Sequence, residues 1–220
     1  MPTRTLSAQA PIALVPVLEV EPYRYSDTPM PGADRTAQDW ANYFQRCMAD
    51  AGFRDVVPVG LQSNFVAART LIGNPILERM IREAGSDSID EISPLSGGLA
   101  LTAASELLFQ PSCCGDLSNV QEWSSALDLA PAAASMWIGH PMLEIEFTGE
   151  HVVLRETQEY PNPSRTLLEA SMPVAWLRDA LQAAQVEQAR FRDELVPMVS
   201  RIVDAPDLAL SLANRLSGLG

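Results

Sequence analysis

Apolar and polar positions alternate most regularly between residues 142 and 157, where they predict a β-hairpin. From Leu143 to Phe147 every odd position is apolar and every even position is acidic, which is the period of a strand with one buried face. Gly149-Glu150 supplies a two-residue turn with glycine first. Pairing across this turn places Glu144 opposite Arg155, which is a favourable cross-strand charge pair. The pattern therefore predicts the register, the turn and the inward face of the hairpin.

Shorter apolar runs bounded by turn residues predict further strands. Pro16 interrupts the first of them, and it indicates an edge position or a bulge because proline cannot donate to a β-ladder. The predicted strands outside the hairpin are Ile12–Val20, Arg54–Val59, Gly98–Thr102 and Ser105–Phe109.

Apolar residues at three- and four-residue spacing predict amphipathic helices. The last two of these helices are rich in Leu and Ala, and Pro197 is expected to end or kink the longer one. The predicted helices are Thr36–Ala51, Asn64–Ile72, Pro75–Ala84, Ser118–Leu129, one that starts at Val174 and one from Asp204 to Leu216.

These elements together predict an α+β fold with a mainly antiparallel sheet, packed helices and a C-terminal helical pair. We expect one domain over residues 1–220, because two helices alone would leave their apolar faces uncovered. The alternative is a C-terminal helical subdomain over residues 163–220, with a boundary near Asn162-Pro163.

The charge of the chain is strongly acidic, with 28 acidic and 15 basic residues and a net charge of −13. Such a balance argues against nucleic acids and membrane surfaces as partners, since both need a basic surface. All 15 basic residues are Arg, so Schiff-base and phosphate-loop chemistry based on Lys is excluded. Codon bias in a GC-rich genome is the simple explanation for the missing Lys.

The cysteines and the N-terminus suggest a cytoplasmic protein. Three cysteines, of which two are adjacent, do not make a disulfide framework, so a reducing compartment is expected. The N-terminus lacks the pattern of a signal peptide, and no apolar stretch reaches the length of a membrane span. Phosphate-loop, dinucleotide-binding and zinc-protease motifs do not occur in the sequence, and we expect no cofactor.

The most unusual local sequences are Pro111–Trp123 and Trp137–Pro141. They contain the residue types of a thiol enzyme, in which a thiolate is activated by a base and by the field of a helix N-terminus. The candidate roles are Cys113 or Cys114 as nucleophile, His140 as base and Asp116 as the orienting group.

A structural role explains the same residues more simply. Cysteine is among the most buried residue types, Asp116 and Ser118 are suited to capping a helix, and His140 fits a turn before a proline. A metal site would have to combine Cys113 and Cys114 with His140 and either Cys47 or Asp116. Adjacent cysteines and the missing C-x₂-C spacing disfavour it, so no metal is expected.

The acidic residues of the hairpin are a candidate binding surface. Glu144 and Glu146 share one strand face, and Glu150 lies in the neighbouring turn. Such a face can steer a basic protein partner toward the chain. Acid-base catalysis by the pair and a role limited to solubility are the alternatives.

The stretch Cys113–Trp123, with Trp137–Pro141 and the hairpin that follows, resembles small bacterial proteins that are similar to immunity proteins of polymorphic toxin systems. The resemblance covers residues 105–157 and includes no catalytic motif. It implies an acidic, cytoplasmic, non-catalytic α+β domain.

The expected function is that of a non-catalytic acidic protein that sequesters a basic partner, a toxin in the case that the resemblance implies. One alternative is a small enzyme that uses Cys113 or Cys114 with His140. The other is a structural protein that forms homo-oligomers through its Leu-rich C-terminal helices.

Overall fold

The computed structural model describes residues 4–7, 11–84, 91–104, 106–112, 114–140, 142–158, 165–203 and 206–220. Within these ranges, nine strands and five α-helices form an α+β fold, as the sequence predicts. The strands are β1 (Arg4–Ser7), β2 (Ile12–Glu19), β3 (Phe65–Ala67), β4 (Gly97–Ala103), β5 (Glu106–Phe109), β6 (Ala134–Met136), β7 (Leu143–Thr148), β8 (His151–Gln158) and β9 (Arg165–Pro173). The helices are α1 (Ala37–Asp50), α2 (Pro75–Ala84), α3 (Val120–Asp128), α4 (Val174–Val203) and α5 (Ala209–Leu216).

The strands form two sheets. The larger sheet has the order β1-β9-β8-β7-β6, and the smaller has the order β3-β2-β4-β5. Strands β1 and β9 run parallel, while the other described pairs are antiparallel. The mainly antiparallel character and the C-terminal helical pair are confirmed, although the strands divide between two sheets.

The hairpin of β7 and β8 has the predicted register. Phe147 pairs with Val152, and Glu144 pairs with Arg155. Gly149 has a φ of +64°, which suits the first position of the predicted turn. The odd positions of β7 face the core, although Phe147 is only half-buried.

Helix α1 begins where the sequence predicts, at a capping box. The Thr36 side chain accepts a hydrogen bond from the Asp39 backbone N–H at 3.2 Å, and the Asp39 carboxylate accepts one from the Thr36 N–H at 2.9 Å. The hydrogen bonds from Thr36 hold the pKa of Asp39 below its usual value.

The prediction was wrong in the segment that precedes α2. Residues 54–59 form turns and not a strand, and the predicted helix Asn64–Ile72 contains β3 followed by a 3-10 turn. Phe65 and Val66 point to opposite faces of the smaller sheet, and both are buried. A strand that is buried on both faces lacks the alternation by which strands are recognised.

Helix α4 continues through Pro197 to Val203, so of the two effects expected of this proline, an end or a kink, the end of the helix is wrong and the kink stays a prediction. Pro197 lies on the exposed side of the helix, where a missing backbone hydrogen bond costs least because water reaches the freed carbonyl. Among the described residues, no helix has both the length and the apolar character needed to cross a membrane.

Two large hydrophobic cores share helix α4. Its first half, including Leu177 and Leu181, packs with α3 and the larger sheet, whereas its second half, including Phe191 and Leu195, packs with α1, α2 and α5. Between the halves lies Gln188, which has 0% exposure and donates to the carbonyls of Leu117 at 2.7 Å and Ser217 at 2.5 Å.

Candidate functional site

The two unusual segments of the sequence lie side by side. The Ser112 N–H donates to the Ile138 carbonyl at 3.1 Å, and the Asn119 side-chain amide donates to the Trp137 carbonyl at 3.3 Å. The fold therefore brings together the residues before α3 and those before β7.

Glycines allow the backbones around this junction to approach closely. A Cβ atom at Gly115 would lie 2.8 Å from the Gly97 carbonyl oxygen and 3.0 Å from that of Ile138. A Cβ atom at Gly98 would lie 2.8 Å from Asn119 Oδ1. Much of the unusual sequence is thus explained by close packing at this junction.

The candidate thiol site is only partly described. Cys113 lies outside the described residues, while Cys114 is exposed and has a φ of +68°. The Asp116 carboxylate accepts hydrogen bonds from Ser118 N at 2.7 Å and Ser118 Oγ at 2.5 Å. Asp116 is therefore the N-cap of the 3-10 turn that leads into α3, as the structural interpretation predicts.

His140 is exposed, and its ring contacts the Trp137 ring edge-on with centroids 4.7 Å apart. Within the described ranges, no group of three or more His, Cys, Asp and Glu side chains is arranged to hold a metal ion. Asp116 thus acts as a helix cap, and the His140 ring packs against Trp137.

The outer face of the larger sheet carries the acidic residues of the hairpin. Arg155 lies between Glu146 and Glu169, with a distance of 2.6 Å to each carboxylate. The hydrogen bond that Arg155 donates to Glu146 is the largest cause that raises the pKa of its guanidinium, and the one to Glu169 is the next. Glu144 and Glu150 are exposed. Of the three candidate carboxylates, Glu146 is thus paired with the charge of Arg155, while Glu144 and Glu150 face solvent.

A cleft of about 620 Å³ lies between the smaller sheet and the end of β8. No pattern in the sequence predicted this cleft. Its lining combines leucines with acidic and amide side chains. The lining residues are Ala37, Gly60, Leu61, Gln62, Glu106, Leu107, Leu108, Gln110, Ser112, Ile138 and Glu156.

Glu156 is the unusual group in this cleft. It lies two residues from the buried Leu154 along β8 and so shares the core-facing side of the sheet. Burial raises the pKa of the Glu156 carboxyl above its usual value. Among the described residues, none donates a hydrogen bond to this carboxylate or forms an ion pair with it.

Two further polar atoms of the cleft residues have no partner. Gln110 Oε1 and Ser112 Oγ are enclosed, and no group of the described chain hydrogen-bonds to either. Gly60 has a φ of +94°, and a Cβ atom there would lie 2.8 Å from Leu107 Cδ2. This glycine allows the loop before β3 to form one wall of the cleft close to β5.

The hairpin register contained a signal for Glu156. Extending the predicted pairing by one step places Glu156 opposite Leu143, and Leu143 belongs to the buried face. An acid on the core-facing side breaks the alternation, and such a residue is a candidate for a functional role. The unpaired atoms of Gln110 and Ser112 depend on tertiary packing and have no comparable signal.

Comparisons of the chain with protein-family models, with curated proteins and with solved structures give no match. The charge and geometry of the outer sheet face and of the cleft are therefore the features that bear on function.

Replacing Glu156 by glutamine is expected to stabilise the free protein at neutral pH. Water screening of the half-buried carboxylate limits the gain to about 0.5–1 kcal/mol. Because burial raises the pKa in the folded state, the destabilising effect of Glu156 is absent below the unfolded-state pKa of about 4.3. It is complete once the pH exceeds the folded-state pKa.

Urea unfolding at about pH 7 and about pH 4 measures this difference in the free energy of unfolding. The gain from Glu156→Gln should shrink at the lower pH. The matched control is Glu144→Gln, which removes an exposed carboxylate and should change stability by less than about 0.5 kcal/mol at both values. A loss of stability in Glu156→Gln at neutral pH would contradict the assignment of an uncompensated, desolvated charge.

Proposed function

We propose that the protein is a non-catalytic binding protein that sequesters a basic protein partner in the cytoplasm, as an immunity protein sequesters its toxin. The observation that carries this proposal is the outer face of the larger sheet. There Glu146 and Glu169 form ion pairs with Arg155, and Glu144 is the residue opposite Arg155 across β7 and β8. Three acids and one Arg leave this part of the face with a net charge of −2.

The geometry of this face supports binding to a protein surface. Glu144 lies in β7 and Glu150 in the turn that follows Thr148, so four residues of strand, about 13 Å, separate Glu144 from the start of that turn. A protein interface of standard size, about 800 Å² on each partner, can cover both. Regular strands also hold the acids at fixed spacing, so little conformational entropy is lost when a partner binds.

The net charge of −13 adds a long-range contribution. A field of this sign attracts a basic partner and increases the rate of encounter. The ion-paired Glu146 contributes less to this attraction than Glu144 and Glu150, because Arg155 cancels its charge at short range. The two exposed acids are therefore the residues to test.

The test requires the partner, which affinity capture from the source cell should return as a protein of net positive charge. The double variant Glu144→Arg with Glu150→Arg should slow association with this partner by about tenfold or more at low ionic strength. Stopped-flow measurements of the on-rate test this expectation. The difference should shrink as salt rises, because the Debye length falls from about 10 Å at 0.1 M to about 3 Å at 1 M.

The matched control is Asp27→Arg with Asp128→Arg, which changes the net charge by the same amount at two other exposed positions. It should slow association clearly less than the reversal on the sheet face. An equal effect of both double variants would mean that net charge alone matters and would contradict this interface. Capture of only acidic or neutral partners would contradict the proposed function itself.

A further inference from the structure

We propose that the cleft beside Glu156 receives an arginine side chain of the partner. This inference rests on the binding function proposed above, and it adds the group that is recognised and the place where it binds. The outer sheet face would increase the rate of encounter with the partner. The cleft would hold one side chain of the partner once it is bound.

The unpaired carboxylate of Glu156 is the first reason. A charge that is partly removed from water costs free energy unless it has a counter-charge or hydrogen-bond donors. No described residue supplies either to Glu156, and none of the described residues that line the cleft is basic. The Glu156 carboxylate is already partly removed from water in the free protein. A cation that binds to it therefore does not have to supply the free energy for that desolvation.

The enclosed oxygens of Gln110 and Ser112 are the second reason. Neither oxygen accepts a hydrogen bond from the described chain. Turning either oxygen toward a donor in the cleft would therefore break no hydrogen bond at that atom. The Ser112 backbone is fixed by its hydrogen bond to Ile138, so a rotation of the side chain alone would turn the hydroxyl toward the cleft. With Glu156, these residues offer acceptors at several points around one cavity.

This distribution of acceptors fits a guanidinium better than an ammonium group. Arginine has five N–H donors in a planar fork, and it is less strongly hydrated than lysine. Leucine side chains in the cleft wall, such as Leu61 and Leu107, can pack against the aliphatic part of an arginine and against its plane. Lysine would present a compact, strongly hydrated charge to the same acceptors.

The cleft is also placed where one partner can reach both sites. Glu144 pairs with Arg155, the neighbour of Glu156, so both acids lie at the open end of the hairpin. They lie on opposite faces of the sheet. A partner that covers this end can contact Glu144 on the outer face and insert a side chain beside Glu156.

A short peptide tests the cleft without the natural partner. The probe is acetyl-Gly-Arg-Gly-amide, titrated into the full chain while amide signals are followed by NMR. We expect saturable shifts of the Ser112 backbone and Gln110 side-chain signals. Glu156→Gln should weaken this binding by at least about tenfold, because it removes the charged acceptor. Asp128→Asn, which removes an exposed carboxylate outside both the cleft and the acidic sheet face, should leave the peptide affinity unchanged.

Two further peptides make the assignment specific. The citrulline analogue, which has the shape of arginine without its charge, should bind at least about tenfold more weakly, and the lysine analogue should also bind more weakly. Equal binding of either analogue, equal binding by Glu156→Gln, or shifts confined to other residues would overturn the inference. A failed peptide titration combined with a slowed on-rate in the sheet-face variant would reject the cleft and leave the proposed function intact.

Discussion

Replacing Gly97 by alanine should destabilise the protein by about 3 kcal/mol or more, the upper end of the range for overpacking in a core. Gly97 pairs with Leu18 across β2 and β4, and the Gly97 carbonyl oxygen lies close to Gly115. A Cβ atom at Gly97 would collide with the carbonyl oxygen of Val17. Because this obstacle is backbone, relief would require the two strands to separate.

Gly149→Ala is the matched control, since it also adds one methyl group at a positive φ. Nothing lies within 4 Å of the added Cβ atom at Gly149. Only the conformational cost of about 1–2 kcal/mol is then expected. Urea unfolding gives both free energies, and similar losses in the two variants would show that the strands can adjust at Gly97.

Gln188→Leu is the second substitution with a large expected effect, a loss of about 2–4 kcal/mol. The variant keeps the approximate volume of the side chain but removes the amide that donates to two buried carbonyls, those of Leu117 and Ser217. The loss is partly offset because Gln188 Oε1, an acceptor without a partner in the described structure, is removed as well.

Gln185→Leu provides the comparison on the same helix. Gln185 is exposed, and its side-chain amide donates to Ser124 Oγ at 3.1 Å. We expect a change of less than about 0.5 kcal/mol for this variant. The free energy of unfolding from urea titration measures both effects, and a loss at Gln188 no larger than that at Gln185 would contradict the role of Gln188 as a buried connector.

Local signals in the sequence predicted much of the fold. The hairpin from Leu143 to Leu154 has alternation, turn chemistry and a charge pair that all agree, and its register is confirmed. The apolar stripe predicted helix α1, and the structure adds the capping box at its start. The division into two sheets depends on long-range pairing, such as β1 with β9, for which local patterns contain little information.

The candidate site was predicted less completely than the fold. Alternation placed Glu144 on an exposed face, and the structure agrees. The pairing of Glu146 with Arg155 was missed because the diagonal neighbour, and not the directly opposite residue, makes the contact. The cleft was missed because it forms between parts of the chain as distant as Gly60 and Glu156, which only the tertiary fold brings together.

The length of helix α4 affects how the protein unfolds. Its 30 residues form one continuous backbone that belongs to both hydrophobic cores. If either core opened alone, half of this helix would be left with its apolar side in water. Opening of the core that contains Leu117 would also take the fixed carbonyl partners away from Gln188. Partial opening is therefore costly, and unfolding should be a single cooperative event. A destabilising change near α5 is thus transmitted to the sheet that carries the acidic face, although the two lie at different ends of the helix.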